Sequence, residues 1–180
     1  MLAVSNSSPL IWLSKIGRIN LLKSLYDKVY IPEEVYREVV TRGLKEGFSD
    51  ALIVKECIKQ GWIKVSRLNE EEVELCRRIM EHAAEIHHGE AQAILLARKM
   101  DTLLLMDESC GRTLAEAWGL KVKGTIYVIM KALREGLMDK NEAREAVVSL
   151  VNKGFRIEPK MLTRILREIE RFVPSHSAKD

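Results

Sequence analysis

Short apolar runs recur along this chain, each closed by a polar or small residue and followed by a stretch with apolar side chains every three or four positions. That alternation marks strand–helix–strand units, in which each helix carries the chain back to begin another parallel strand. The runs are Leu2-Ala3-Val4, Lys28-Val29-Tyr30-Ile31, Trp62-Ile63-Lys64-Val65, Leu103-Leu104-Leu105-Met106 and Leu120 to Lys123. The fourth is apolar at every position, as a strand covered on both faces must be. The expected architecture is α/β, three layers α/β/α around a central parallel sheet of four or five strands, with a C-terminal helical pair.

The segments between the runs carry helix signals. Ser5-Asn6-Ser7-Ser8-Pro9 suits a helix start, after which Leu10, Ile11, Leu13 and Ile16 face inward. Pro32-Glu33-Glu34 opens a helix that is predicted to stop near Gly43, and Gly43 to Asp50 reads as a loop before an amphipathic segment from Ala51 to Lys59. Further helical patterns pass through Val73, Leu75, Ile79 and Met80, from Glu90 to Met100, from Arg112 to Trp118 and from Ile126 to Arg134. Two amphipathic helices close the chain, one with Ala146, Val147, Leu150 and Val151, the other with Leu162, Ile165, Leu166, Ile169 and Phe172. The pattern predicts one domain over residues 1–136, a helical extension over 137–173 packed on that domain or on a dimer partner, and a disordered tail over 174–180.

Composition narrows the class. No run approaches the roughly 20 apolar residues needed to span a bilayer, so no membrane role is expected. The three cysteines, Cys57, Cys76 and Cys110, are an odd number without a Cys-x-x-Cys pair, which argues against a disulfide framework or a cysteine zinc module. The first residues lack the basic start and long apolar stretch of a signal peptide, and the expected compartment is the cytoplasm. A net charge of +3 tolerates a polyanionic partner without identifying one.

Ligands of open parallel sheets bind at the carboxyl ends of the strands. Asn6 follows the first strand and Asp107 the most apolar one, so their side chains meet if those strands are neighbours. The alternative is that Asn6 and Ser8 cap one helix while Asp107 and Glu108 cap another. Glu90 lies in line with Ile94 and Ala97 on an inward stripe, where a carboxylate needs either a ligand or the free amides of a helix start. Glu38 flanks the Val35, Tyr36, Val39 and Val40 face, and by position alone reads as a solvated surface acid. Other chemistries fail on spacing. His87-His88 has no His-Glu-x-x-His context and reads as a polar loop, while phosphate-binding glycine loops and a Gly-x-Ser-x-Gly elbow are absent. Acidic Asp107-Glu108 beside Cys110 would raise its pKa and silence it as a nucleophile.

In this order the motifs resemble the PIN-domain family, the nuclease fold of VapC-type toxins, and in particular an uncharacterised archaeal and bacterial branch. The resemblance is carried by Val4 to Ile11, Ile31 to Val39, His88 to Ile94, Leu105 to Glu108, Arg112 to Ala115, Gly119 to Thr125, Gly136-Leu137 and Leu150 to Ile157. It implies acids gathered at the carboxyl edge around Mg²⁺ or Mn²⁺, with Asn6, Glu38, Glu90 and Asp107 at the matching positions and Glu108 beside them. It implies a metal-dependent endoribonuclease that leaves a 5′-phosphate and a 3′-hydroxyl, and RNA, a small cognate antitoxin and a second copy of the chain as partners. Ser8, Arg112, Lys121 and Lys123 are the expected substrate contacts, with Lys15 and Arg18 as further cations. Position 6 departs from the pattern, being Asn where most active relatives carry Asp. The amide removes a charge, and with it stands the alternative of a PIN-like module that binds nucleic acid or protein with little or no cutting. A metal-dependent phosphatase of another α/β fold is a more distant possibility.

Overall fold

The computed structural model describes residues 1–173. The tail expected over 174–180 lies outside the described residues. The chain divides into two compact units, Met1–Thr125 and the residues from Ile126 onward.

In the first unit the elements run β1 (Leu2–Ser5), α1 (Ser7–Lys15), α2 (Asn20–Leu25), β2 (Lys28–Pro32), α3 (Glu33–Tyr36), a π-helical segment (Arg37–Arg42), α4 (Gly43–Lys45), α5 (Ser49–Lys59), β3 (Ile63–Ser66), α6 (Glu70–His82), α7 (His88–Lys99), β4 (Leu103–Leu105), α8 (Ser109–Ala117) and β5 (Val122–Lys123). All five strands are parallel, in the order β3-β2-β1-β4-β5. The expected α/β sheet flanked by helices is therefore present, with five strands. The order reverses direction at β1, which pairs with β2 on one side and β4 on the other, Ala3 opposite Val29 and Leu103 respectively. That reversal opens a crevice at the carboxyl edge between β1 and β4.

The core explains why α7 lies where it does. Ala93, Ile94, Leu96 and Ala97 pack against Val4, Leu104 and Met106, all at most 2% exposed. Small alanines let the helix approach the sheet closely, and this approach fixes the start of α7 above the strand ends. On its other side Ala91 and Leu95 meet Cys76 and Ile79 of α6. Burying a Leu or Ile in such a cluster stabilises by about 1.5–3 kcal/mol each.

One expectation is corrected. The helical run after β2 ends at Lys45, two residues past Gly43, and the loop placed from Gly43 to Asp50 shrinks to Glu46–Phe48, because α4 continues through Gly43 and α5 starts at Ser49. Gly43 is a contact point rather than a terminator: a Cβ there would stand 2.8 Å from the Cβ of Ala51, so glycine lets α4 and α5 touch.

The second unit contains the greater part of α9 (Thr125–Arg134), then α10 (Lys140–Asn152) and α11 (Pro159–Arg171). Asp139 and Glu142 form a capping box at the start of α10. Ala143, Ala146, Val147 and Leu150 are buried on α10, Ile165 and Ile169 on α11. Among the described residues no helix is long and apolar enough to cross a membrane.

Candidate active site

The first strand delivers Asn6, whose backbone N–H still bonds Leu105 O at 3.1 Å across the β1–β4 pair. Asn6 is 2% exposed, and its side chain does not cap α1 although it stands at the N-cap position. Its Nδ2 instead donates to Glu108 Oε2 at 2.6 Å, while its Oδ1 is buried without a hydrogen-bond partner. Glu108 likewise stands at the N-cap of α8 without capping it. The helix-cap explanation of Asn6 and Glu108 is thereby corrected: both side chains turn toward each other across the crevice.

Asp107 is held by three donors. Thr125 gives its backbone N–H to Oδ1 at 2.7 Å and its hydroxyl to Oδ2 at 2.6 Å, and Ser8 gives its hydroxyl to Oδ2 at 2.9 Å. Gly124 makes room for this, since a Cβ there would fall 2.5 Å from Oδ1. Burial raises the pKa of Asp107, against the lowering effect of the Thr125 and Ser8 hydrogen bonds, and neighbouring Glu108 pushes it the same way as burial. Arg112 braces the same corner by donating Nη1 to Met106 O at 3.1 Å.

Glu38 comes from the π-helical segment. The solvated reading of this residue is corrected: it is half-buried and accepts a hydrogen bond from the Ser7 hydroxyl. A π-turn carries an extra residue and rotates the side chains around it, so α-helical spacing misjudges the direction of Glu38. Gly89, in the first turn of α7, stands against its carboxylate; a Cβ would lie 2.7–3.0 Å from the carboxylate atoms. Glu90 is 7% exposed and accepts His87 N–H at 3.1 Å, so the helix-start explanation holds for one of its oxygens. Burial raises its pKa, the His87 N–H lowers it, and Glu108 and Glu38 raise it further.

Asn6, Glu38, Glu90 and Glu108 line one open cleft of about 460 Å³, together with Ser7, Glu34, Arg42, Met80, His87 and His88. Asp107 and Ser8 form the adjoining corner rather than the cleft wall. Arg112, Lys121 and Lys123 do not line it either, and Lys15 lies 4.9 Å over the Trp12 ring.

A family model described as DUF3368: PIN domain matches residues 2–171. The chain is a PIN-domain protein. A PilT N-terminus domain protein from the hyperthermophilic archaeon Sulfolobus solfataricus shares 18% identity with it, over 74% of this chain and 94% of its own, with a TM-score of 0.49. No curated protein matches the chain.

PIN domains have a nuclease-like fold and typically use divalent metals. Among the described residues, no group of three or more His, Cys, Asp or Glu side chains is drawn together tightly enough to hold a metal ion. The donor set nevertheless fits a hard divalent cation, because it is all oxygen and its innermost member is the unpartnered Oδ1 of Asn6, an amide oxygen. A buried carbonyl oxygen left without a partner costs about 1–3 kcal/mol, which a cation would recover.

Several residues of this PIN domain's site escaped the sequence. Thr125 and Ser7 position carboxylates, yet each reads as an ordinary turn or cap residue. The signal for Thr125 was available in Gly124-Thr125 directly after the last strand. His87, His88 and Arg42 line the cleft, where only the loop character of the histidines was legible.

Proposed function

We propose that this PIN domain is a Mg²⁺- or Mn²⁺-dependent endoribonuclease, the toxin of a toxin–antitoxin pair. The observation that carries the reading is that Glu38, Glu90 and Glu108 line one cleft with Asn6, whose buried Oδ1 has no hydrogen-bond partner. On this reading Asn6, Glu38, Glu90 and Glu108 would hold the cation. A bound cation supplies polarisation of the scissile phosphodiester and makes a water acidic enough to attack at neutral pH. Glu108 is aimed by the Asn6 amide, Glu38 by the Ser7 hydroxyl and Glu90 by the His87 N–H. Asp107 is a positioning residue, locking the end of β4 to Ser8 and Thr125, with at most one acceptor direction left for a ligand. The partners are RNA, a small cognate antitoxin protein and a second copy of the chain.

The test is cleavage of single-stranded RNA by the full chain with Mn²⁺ or Mg²⁺, with and without chelator. Cleavage stopped by chelator, and reduced about 100-fold or more in Glu38→Gln, supports the reading, as expected when a ligand worth several kcal/mol is removed. Metal-independent cleavage, or full activity in that variant, overturns it.

One observation favours a second reading, a PIN module that binds nucleic acid or protein without cutting. The centre of the site is a neutral amide that occupies one oxygen of Glu108 at 2.6 Å. No cleavage in the natural chain together with metal-dependent cleavage in Asn6→Asp would decide for it.

A further inference from the structure

The chain's net charge is confined to its C-terminal part. Residues 1–125 contain eighteen Lys and Arg and eighteen Asp and Glu, whereas residues 126–180 contain eleven basic residues against eight acidic ones. On α11 the excess is ordered. Lys160, Arg164, Arg167 and Arg171 recur at helical spacing along one face, all exposed, and line a shallow groove of about 540 Å³ with Thr163 and Glu168. The row spans about 16 Å at 1.5 Å per residue.

A stripe of this kind has a cost. Three successive like-charge steps at i,i+3 or i,i+4 each disfavour the helix by about 0.2–0.5 kcal/mol. The single acid on the groove, Glu168, offsets little of it, pairing with Arg164 at 3.1 Å. Stability gives no reason for the row, whereas a polyanion laid along it does.

We infer that the outward face of α11 is a docking surface for the phosphate backbone of single-stranded RNA. The identity of the partner rests on the ribonuclease reading; the existence of a polyanion site does not. Three of the four cations are arginines, whose planar forks grip phosphate oxygens in pairs. A membrane surface fits less well, because the apolar centre of α11 is already buried, Ile165 at 6% and Ile169 at 1% exposed, which leaves Met161 as the exposed large apolar side chain of the helix. An acidic protein partner fits less well too, since the groove lining contains no aromatic or aliphatic side chain to anchor one.

The experiment is fluorescence anisotropy of a labelled oligouridylate with the full chain in chelator, so that no cutting intervenes, repeated over a range of salt. Four phosphate contacts give a slope of log affinity against log salt near −2.8, and Arg164→Gln with Arg167→Gln reduces it by about 1.4 and weakens binding about 25-fold at about 0.1 M salt. Glu168→Gln, which frees Arg164, tightens binding. These side chains are exposed, so circular dichroism of the variants is unchanged, and the double arginine variant, relieved of like-charge repulsion along the row, melts no lower than the natural protein. Lys55→Gln, which removes an exposed cation of α5 outside both the groove and the cleft, leaves the slope unchanged. Loss of cleavage with α11-dependent binding retained overturns the ribonuclease reading and leaves this surface standing. An unchanged affinity in the double arginine variant, no RNA binding by the natural chain, or equally tight and α11-dependent binding of polyglutamate or phosphatidylserine vesicles overturns the RNA assignment.

Discussion

Asn6 donates its side-chain amide to Glu108 at 2.6 Å while its own Oδ1, buried beside it, accepts nothing. The pair makes residue 6 a strut for one carboxylate and an unfilled oxygen ligand at once. Asn6→Asp removes the strut and sets a second negative charge within hydrogen-bond distance of Glu108. In chelator this variant should lose about 2 kcal/mol, roughly 4–8 °C in Tm for a chain of this size. Mn²⁺ should restore the loss and raise Tm by more than it does in the natural protein. Thermal melts with and without Mn²⁺ read both differences; an unaltered Tm in chelator would show that the Asn6–Glu108 contact contributes nothing.

Gly89→Ala separates folding from function. The new Cβ would meet the Glu38 carboxylate at 2.7–3.0 Å, and that carboxylate ends a flexible side chain, so Glu38 is the part that moves. Alanine also suits a helix better than glycine by about 1 kcal/mol. The variant should melt at or above the natural temperature and yet cleave RNA about 10-fold or more slowly. A melting temperature several degrees lower would mean that the glycine serves packing rather than the site.

The buried carboxylates set a pH dependence. Burial raises the Glu90 pKa above that of the unfolded chain, with Glu108 and Glu38 adding to the shift against the His87 N–H. The folded state therefore binds the proton more tightly. Its stabilising effect is complete below the ordinary glutamate range near pH 4.5 and disappears as pH rises through the folded-state pKa. In chelator, Glu90→Gln should consequently gain stability relative to the natural chain as pH rises across this window. Urea unfolding at several pH values measures the difference, and a constant difference would remove Glu90 as its source.

Cys110 donates its thiol to Glu85 at 2.6 Å, and this hydrogen bond, ahead of burial and the Glu85 charge, raises its pKa. The sequence had suggested the right direction through the wrong neighbours, because Glu85 is 25 residues away along the chain. Glu85→Gln should lower the thiol pKa and speed alkylation of Cys110 by iodoacetamide at mildly alkaline pH. Cys76, buried and pushed up to about 11, should stay unmodified in the folded protein. Equal alkylation rates at Cys110 in the two proteins would show that Glu85 does not control it.

The sheet was legible because parallel strands announce themselves as apolar runs, and Leu103-Leu104-Leu105-Met106 can hardly be anything else. The edge at which Asn6 and Asp107 emerge followed from where those runs stop. Directions of side chains were harder to read. Glu38 sits in a π-turn that α-helical spacing cannot anticipate, and Gly43 continues a helix because Ala51 presses on it. Thr125 holds Asp107 across 18 residues, a long-range relation with no local periodicity to betray it. The cleft lining of Arg42, His87 and His88 depends on how α7 docks, which packing of Ala93 and Ala97 decides.

The most direct measurement is calorimetric titration of Mn²⁺ into the full chain, the natural protein against Glu90→Gln. The account predicts saturable binding by the natural protein and at least about 10-fold weaker binding by the variant, since Glu90 is the most buried carboxylate lining the cleft. Binding of equal strength in the two proteins, or no binding in the natural one, would contradict a cation site formed by Asn6, Glu38, Glu90 and Glu108.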